Sequence, residues 1–144
     1  MFAFSYRAIF SRDQDGRVLV RFPDLPGVAT DGRDMAEAMV EAVDCLGSDL
    51  SIRMLQKDKI PAPSAPKRGQ RLVPVPLWLA PSLALYLAMR EQGISNCELA
   101  RRLGCRETVV RRMLDPNHNT KPEKLQAALA ALGKRIAITV EDAA

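Results

Sequence analysis

Residues 96–114 read NCELARRLGCRETVVRRML, and this pattern predicts two short helices joined by a tight turn. Helices that cross at a steep angle need a small residue where they touch, which Ala100 supplies, and the turn needs positive φ, which Gly104 allows. Ser95 followed by Glu98 is the pattern of a capping box at the start of the first helix. The expected buried anchors are Leu99, Leu103, Val110 and Met113. The stretch therefore predicts a helix-turn-helix.

The polar residues of the second predicted helix face outward, and their types suit the major groove of DNA. Arginine binds a guanine edge with two hydrogen bonds, glutamate accepts from cytosine, and threonine contacts phosphate or a thymine methyl group. Polar residues in the loop that follows are expected to contact phosphates. The predicted DNA-binding residues are Arg106, Glu107, Thr108, Arg111 and Arg112 on the helix and Asn119, Thr120 and Lys121 in the loop. The alternative is a plain helical hairpin whose basic face is solvated.

The two halves of the chain differ in charge. Residues 1–66 contain 8 Lys and Arg against 10 Asp and Glu, a balance of −2. Residues 67–144 contain 13 against 7, a balance of +6. Because nucleic acid attracts basic surfaces, this asymmetry favours DNA binding by the C-terminal half and a different partner for the N-terminal half.

The N-terminal half predicts two strands that form a hairpin. Apolar residues alternate over residues 2–10, which indicates a strand with one buried face. A turn at residues 11–16 ends in Asp-Gly, which supplies the positive φ that a hairpin needs. The second strand carries Val18, Val20 and Phe22 on its inner face, and residues 30–32, Thr-Asp-Gly, are interpreted as another turn.

A long amphipathic helix is predicted to cover this hairpin. It runs from about Asp34 to Lys57, and Glu37 follows the capping Asp34 by three residues. Its expected apolar stripe is Met35, Met39, Val43, Leu46, Leu50 and Met54. Since a hairpin alone is marginal in water, the helix, the hairpin and a short strand at 72–75 are expected to form one α+β unit.

The predicted domain organisation follows from a proline-rich stretch in the middle of the chain. Residues 61–70 are interpreted as an exposed connector, with residues 1–60 and a strand at 71–76 forming the first domain and residues 77–144 the second. The second domain is predicted to be all-α, with further helices from near Pro81 to Gly93 and at about 122–132. Residues 135–140 alternate as a lone strand, which predicts pairing with a second copy in a homodimer, with a tetramer left open.

Several classes of protein are disfavoured. The 18 uncharged residues between Arg71 and Arg90 are interrupted by prolines, so a membrane anchor is not expected. The start of the chain does not resemble a signal peptide, and the three cysteines are interpreted as reduced core residues of a cytoplasmic protein. No catalytic residue, metal site or cofactor is predicted. The four clustered acidic residues lie in turns, where Asp bonds to nearby backbone, and not in strand cores: Asp13, Asp15, Asp24 and Asp31.

Two parts of the chain resemble the HicB antitoxins. In the N-terminal part the resemblance lies in residues 6–10, YRAIF, in 22–27, FPDLPG, and in the Ala-rich start of the helix at 36–38. Residues 72–140, with ELARRLG at 98–104 and AALGKR at 130–135, are similar to the DNA-binding half of the larger members. One departure is Val28, where many members carry a cysteine.

This resemblance implies a fold and two partners. The N-terminal domain would be a truncated ribonuclease-H-like fold without nuclease activity that binds and masks a small basic RNA-cleaving toxin of the HicA type. The C-terminal domain would repress the operon that encodes the pair. The expected toxin-binding residues lie in the FPDLPG element: Phe22, Pro23, Asp24, Leu25 and Pro26. The alternative function is a stand-alone helix-turn-helix regulator whose N-terminal domain senses a ligand.

Overall fold

A computed structural model describes residues 4–142, which form an α+β chain of two compact units divided between Ala80 and Pro81. The first unit contains an antiparallel four-stranded sheet and one long helix. The second contains four helices. In chain order the elements are β1 (Ser5–Arg12), β2 (Val18–Arg21), β3 (Ala29–Gly32), α1 (Met35–Leu55), β4 (Arg71–Pro74), α2 (Ala80–Gln92), α3 (Asn96–Leu103), α4 (Glu107–Met113) and α5 (Pro122–Ala131). The α+β class is as predicted from the sequence.

The sheet has the order β3-β2-β1-β4, with β1 as a central strand. The predicted hairpin is confirmed: Phe10 pairs with Val20, and Gly16 adopts a φ of 80° in the connecting turn. The short strand near residues 72–75 is also confirmed, and it pairs with β1. Residues 2 and 3 of the first predicted strand lie outside the described residues.

The interpretation of residues 30–32 as a turn is wrong, because they belong to β3. Val20 pairs with Thr30 and Val18 pairs with Gly32, so the sheet gains an edge strand. Asp and Gly favour turns locally, but the ladder bonds to β2 outweigh that preference. Gly32 also allows α1 to approach closely, since a Cβ there would lie 2.4 Å from the backbone nitrogen of Ala38.

Helix α1 covers one face of the sheet, and its predicted cap is confirmed. The Asp34 side chain accepts a hydrogen bond from the backbone nitrogen of Glu37 at 2.8 Å. The buried side, however, differs from the predicted stripe in the first half of the helix, where Met35, Met39 and Val43 are only partly buried. In this half of the helix the buried residues are alanines, because the backbone of α1 lies close to β3 and leaves little room for larger side chains. The buried residues of α1 are Ala38, Ala42, Leu46, Gly47, Leu50 and Met54.

The connector at 61–70 is largely exposed, as predicted, but its start is held against the first unit. Ile60 is buried, and the Tyr6 hydroxyl donates a hydrogen bond of 2.6 Å to the carbonyl oxygen of Pro61. Burial of Tyr6, followed by the charge of Asp24, raises the pKa of this phenol to about 12, so it stays a donor at neutral pH. The connector is therefore not free at its N-terminal end.

In the second unit, the predicted helices α2 and α5 are confirmed. Each is followed by a glycine with positive φ, Gly93 at 65° and Gly133 at 73°. The Gln92 side chain donates to the carbonyl oxygen of Leu132 at 2.8 Å and so ties the end of α2 to the end of α5. The Leu face predicted for α5 is buried at Leu125, Leu129 and Leu132.

The predicted strand at 135–140 is not formed within the described chain, where residues 134–142 have no regular secondary structure. A strand needs a neighbouring strand for its backbone hydrogen bonds, and the fold offers none at this position. The side chains of Ile138 and Val140 are 76% and 93% exposed.

Two smaller expectations can be compared with the fold. Across the described residues, no helix has both the length and the apolar character needed to cross a membrane. The description of the three cysteines as core residues is wrong. Cys97 is exposed, and Cys45 and Cys105 are only partly buried.

Candidate functional site

The helix pair α3–α4 has the local geometry that its sequence predicts. The Ser95 hydroxyl accepts a hydrogen bond of 3.1 Å from the backbone nitrogen of Glu98. Gly104 ends α3 with φ 67° and ψ 34°, the left-handed conformation that glycine adopts most easily. The residues buried at the contact are Leu99, Ala100, Val110 and Met113, whereas Leu103 is half-buried.

The residues predicted to contact DNA lie on one helix and the loop after it. Six of them are exposed: Arg106, Thr108, Arg111, Arg112, Asn119 and Lys121. Glu107 and Thr120 are partly buried. Arg106 is the residue just before α4, and its side chain makes no capping hydrogen bond. The structure thus brings the predicted set together along α4 and its C-terminal loop.

Glu107 has bonding partners inside the protein. One of its carboxylate oxygens accepts from Arg111 at 2.6 Å, and the other accepts from the Asn96 side chain at 3.3 Å. Its carboxylate therefore links α4 to the start of α3. Within residues 4–142, Arg106 and Arg112 make no ion pair with an acidic side chain. The uncompensated positive charge of this surface accordingly lies at the two ends of α4 and, in the following loop, at Lys121.

The two arginines of α3 have an acidic partner. Arg101 and Arg102 both donate to the Glu98 carboxylate, at 2.7 Å and 3.0 Å. Their hydrogen bonds lower the pKa of Glu98 to about 2. Because Glu98 stays ionised throughout the physiological range, it offsets part of the positive charge of α3.

The loop after α4 is shaped by its own polar residues. The Asp115 side chain accepts from the backbone nitrogen of Asn117 at 2.9 Å, which forms an Asx turn. The Thr120 hydroxyl lies 2.8 Å from Nδ1 of His118 and donates to the carbonyl oxygen of Arg112 at 3.4 Å. Thr120 therefore anchors the loop to α4, and Asn119 and Lys121 remain exposed beside it.

The FPDLPG element of the first unit combines core residues and surface residues. Phe22 and Leu25 are 2% and 0% exposed, so they pack in the core. Pro23 is half-buried and Pro26 is exposed. Backbone hydrogen bonds from Leu25 to Phe22 and from Val28 to Leu25 fold the element into consecutive turns. The prediction that this element contacts a partner stays a prediction, with Pro23 and Pro26 as its accessible apolar members.

Asp24 is engaged by two distant segments. Arg7 on β1 donates to its carboxylate at 3.1 Å, and Ser64 in the connector donates from its backbone nitrogen at 2.8 Å and its hydroxyl at 2.9 Å. Burial acts to raise the pKa of Asp24, but the hydrogen bonds from Ser64 and Arg7 outweigh burial and lower it. No local sequence signal pairs Asp24 with Ser64, which lies 40 residues away.

Comparison with known proteins identifies the family to which this chain belongs. Residues 5–81 match the family model described as HicB_like antitoxin of bacterial toxin-antitoxin system. The chain is 35% identical over 131 residues to Antitoxin HicB 2 of Photorhabdus laumondii, covering 91% of this chain and 92% of the relative. It is 32% identical to Antitoxin HicB of Escherichia coli K12 (88% and 91% covered) and 32% identical to Antitoxin HicB of Pseudomonas fluorescens Pf0-1 (94% and 94% covered).

The chain therefore belongs to the HicB-like antitoxin family and is an antitoxin of a toxin–antitoxin system. This confirms the resemblance found in the sequence. The relatives are antitoxins and not enzymes, which also confirms the prediction of a non-catalytic protein.

Proposed function

We propose that this antitoxin masks an RNA-cleaving toxin of the HicA type with its first unit and represses its own operon by binding operator DNA with its second unit. The observation that carries the DNA-binding half is the row of exposed arginines on α4, which follows α3 through a left-handed glycine turn. Family membership carries the toxin-binding half.

In the second unit, α3 and α4 act as a helix-turn-helix, with α4 in the major groove. Arg106, Thr108, Arg111 and Arg112 face the base edges and the neighbouring phosphates, while the exposed residues of the following loop contact the backbone of the DNA. Because its carboxylate already binds Arg111 and Asn96, Glu107 orients that arginine and fixes the angle between the helices.

Operators read by such helices are usually palindromic, so the repressor acts as a dimer. The exposed C-terminal segment supplies the contact between copies. Its alternating apolar residues, Ile136, Ile138 and Val140, form a strand when a second copy provides the partner strand. Backbone pairing and burial of these side chains then stabilise the dimer.

In the first unit, the sheet and α1 form a truncated ribonuclease-H-like domain without nuclease activity. No cluster of acidic, His or Cys side chains within residues 4–142 is arranged to hold a metal ion. The exposed part of the FPDLPG element contributes to the toxin contact, and Phe22 and Leu25 keep its turns in shape.

Operator binding tests the DNA-binding half. Alanine substitution of Arg106, Arg111 or Arg112 is expected to weaken binding to the promoter fragment of the chain's own operon, at fixed salt, by about 1–3 kcal/mol for each arginine that reads a base. Arg33→Ala is the matched control, because Arg33 is an exposed arginine of the first unit. Unchanged binding by all three arginine variants in a fluorescence-anisotropy titration would refute the placement of the recognition helix.

Co-purification tests the toxin-binding half. The product of a short reading frame adjacent to this gene, if it encodes a basic RNA-cleaving protein, is expected to co-purify with the chain and to lose its RNase activity in the complex. A chain that represses its operon but neutralises no such protein would instead be a stand-alone regulator.

A further inference from the structure

We propose that the toxin docks on the outer side of α1 and the turn beside it, a surface that we call the α1–Trp78 patch: Val40, Glu41, Asp44, Leu77 and Trp78. The inference rests on the proposed function, because it takes the partner to be an RNA-cleaving protein. The toxin surface that fits this patch is basic, and the five side chains of the patch make the contact.

The turn between β4 and α2 carries two large apolar side chains in the open. The carbonyl oxygen of Pro76 accepts hydrogen bonds of 3.0 Å from the backbone nitrogens of both Leu79 and Ala80, so Leu77 and Trp78 occupy the tip. Leu77 is 77% exposed and Trp78 is 57% exposed. Polar residues and glycine are usual at such tips, and exposed Leu-Trp is instead typical of a surface that a partner covers.

Helix α1 holds Trp78 in a defined position. A Cβ at Gly47 would lie 2.9 Å from Cζ2 of Trp78 and 2.7 Å from Cγ of Pro76, so the absence of a side chain at Gly47 lets the ring lie against the helix. Asp44 and Val40 precede Gly47 by three and seven residues and share its side of α1. Val40 is 60% exposed. A half-exposed tryptophan on the same side of α1 as an exposed valine about two turns away has the composition of an interface hot spot.

The charge of the patch selects a basic partner. Two acidic residues of α1 are paired, Glu37 with Arg33 and Asp49 with Arg53. Glu41 and Asp44, one turn apart, form no ion pair with any basic side chain of residues 4–142. An arginine or lysine of a partner can stack on Trp78 while its charge pairs with Asp44. A protein that cleaves RNA must present such basic groups to its substrate.

The opposite face of the first unit does not fit the same partner. Leu19 and Arg21 of β2 point away from α1, because their neighbours Val18 and Val20 are buried beneath it. This open face of the sheet presents exposed Arg21, and its Asp31 is already paired with Arg17, so it lacks the unpaired carboxylates that α1 offers a basic toxin. A second copy of the chain is also disfavoured on the α1–Trp78 patch, since two acidic patches would face each other.

Charge reversal within the patch tests the proposal. The variant is Asp44→Lys, and the matched control is Asp15→Lys, because Asp15 is an exposed carboxylate in the hairpin turn of the same unit. The probe is the basic protein encoded next to this chain, titrated by isothermal calorimetry at two salt concentrations. Asp44→Lys is expected to weaken binding by about 30-fold or more and to flatten its salt dependence, whereas Asp15→Lys changes affinity by less than about 3-fold.

A second pair of variants separates contact from folding. Trp78→Ala and Val40→Lys are each expected to weaken toxin binding by about 10-fold or more. Trp78→Ala removes a ring that packs on α1, so the exposed Val40→Lys provides the cleaner test. Far-ultraviolet circular dichroism and the urea midpoint report on the folding of the first unit, and both are expected to be unchanged in Val40→Lys.

The outcomes distinguish the two proposals. If the unsubstituted chain does not bind the basic protein, the proposed toxin-binding function and this inference both fail. If it binds and all three patch variants bind equally well, only the location is overturned. A change in oligomeric state in light scattering, with toxin binding unchanged, would make the patch a contact between copies and would also overturn the inference.

Discussion

Asp24→Asn is expected to destabilise the first unit, although the substitution changes only one side-chain oxygen to an amide group. The carboxylate accepts from Arg7 at 3.1 Å and twice from Ser64, at 2.8 Å and 2.9 Å. The side chain of Asp24 is 10% exposed and that of Arg7 is 14% exposed, so water can replace few of these bonds. In asparagine the amide oxygen still accepts hydrogen bonds. The amide NH2 group, however, takes the place of an acceptor and faces donors of Arg7 or Ser64.

A hydrogen bond to a charged group contributes about 1.5–3 kcal/mol. With at least one such bond broken and Arg7 left without its counter-charge, we expect the free energy of unfolding to fall by about 2–3 kcal/mol. Asp31→Asn is the matched control. The side chains of Asp31 and its ion-pair partner Arg17 are 44% and 42% exposed, so breaking this pair is expected to cost at most about 1 kcal/mol.

The assay is urea unfolding followed by the fluorescence of Trp78, the single tryptophan of the chain, which lies in the first unit. The pH dependence gives a second reading. Because folding lowers the pKa of Asp24, the ionised group stabilises the fold above its ordinary pKa, and this stabilisation is lost as pH falls through the folded pKa. The difference between the chain and Asp24→Asn should therefore shrink below about pH 4. Equal urea midpoints at pH 7, or a difference that stays constant on acidification, would refute the reasoning.

Two further substitutions test the packing of α1 and the start of α3. Gly32→Ala places a Cβ 2.4 Å from the Ala38 backbone nitrogen, and since no rotamer change relieves that overlap, we expect the free energy of unfolding to fall by about 3 kcal/mol in the same urea assay. The exposed Ser48→Ala should stay within about 0.5 kcal/mol. Ser95→Ala removes the hydroxyl that accepts from the Glu98 backbone nitrogen, and it should lower the local stability of α3 by about 1 kcal/mol. Hydrogen exchange in the first turn of α3 measures this loss, and unchanged exchange would show that the cap contributes nothing.

Local signals predicted much of the architecture. The hairpin turn at Gly16, the turn at Gly104 and the caps at Asp34 and Ser95 are all found where the sequence places them. Each depends on the backbone chemistry of a few consecutive residues, so the sequence contains the whole cause. The exposed row of α4 was predictable for the same reason, because helical periodicity decides which side chains share a face.

Other features depend on contacts between distant segments, and the sequence signals for them were misleading or absent. Residues 30–32 are of types that favour turns, and yet they belong to β3. Their backbone groups pair with β2, and α1 can approach because Gly32 has no side chain. The same close approach moves the buried side of α1 to Ala38 and Ala42, although Met39 and Val43 are the larger apolar residues.

By itself, the sequence determined the α+β class, the capped helices and the arginine row of α4, since these follow from periodicity and local backbone preference, and its motifs carried the resemblance to the HicB antitoxins. Only the tertiary structure decided that Asp24 bonds to Arg7 and Ser64 and that Trp78 lies on α1 at Gly47 with its ring half-exposed. These contacts join residues from 17 to 40 positions apart. The free energy of such contacts depends on how deeply the groups are buried and on which donors folding brings together. Neither can be read from a short stretch of sequence.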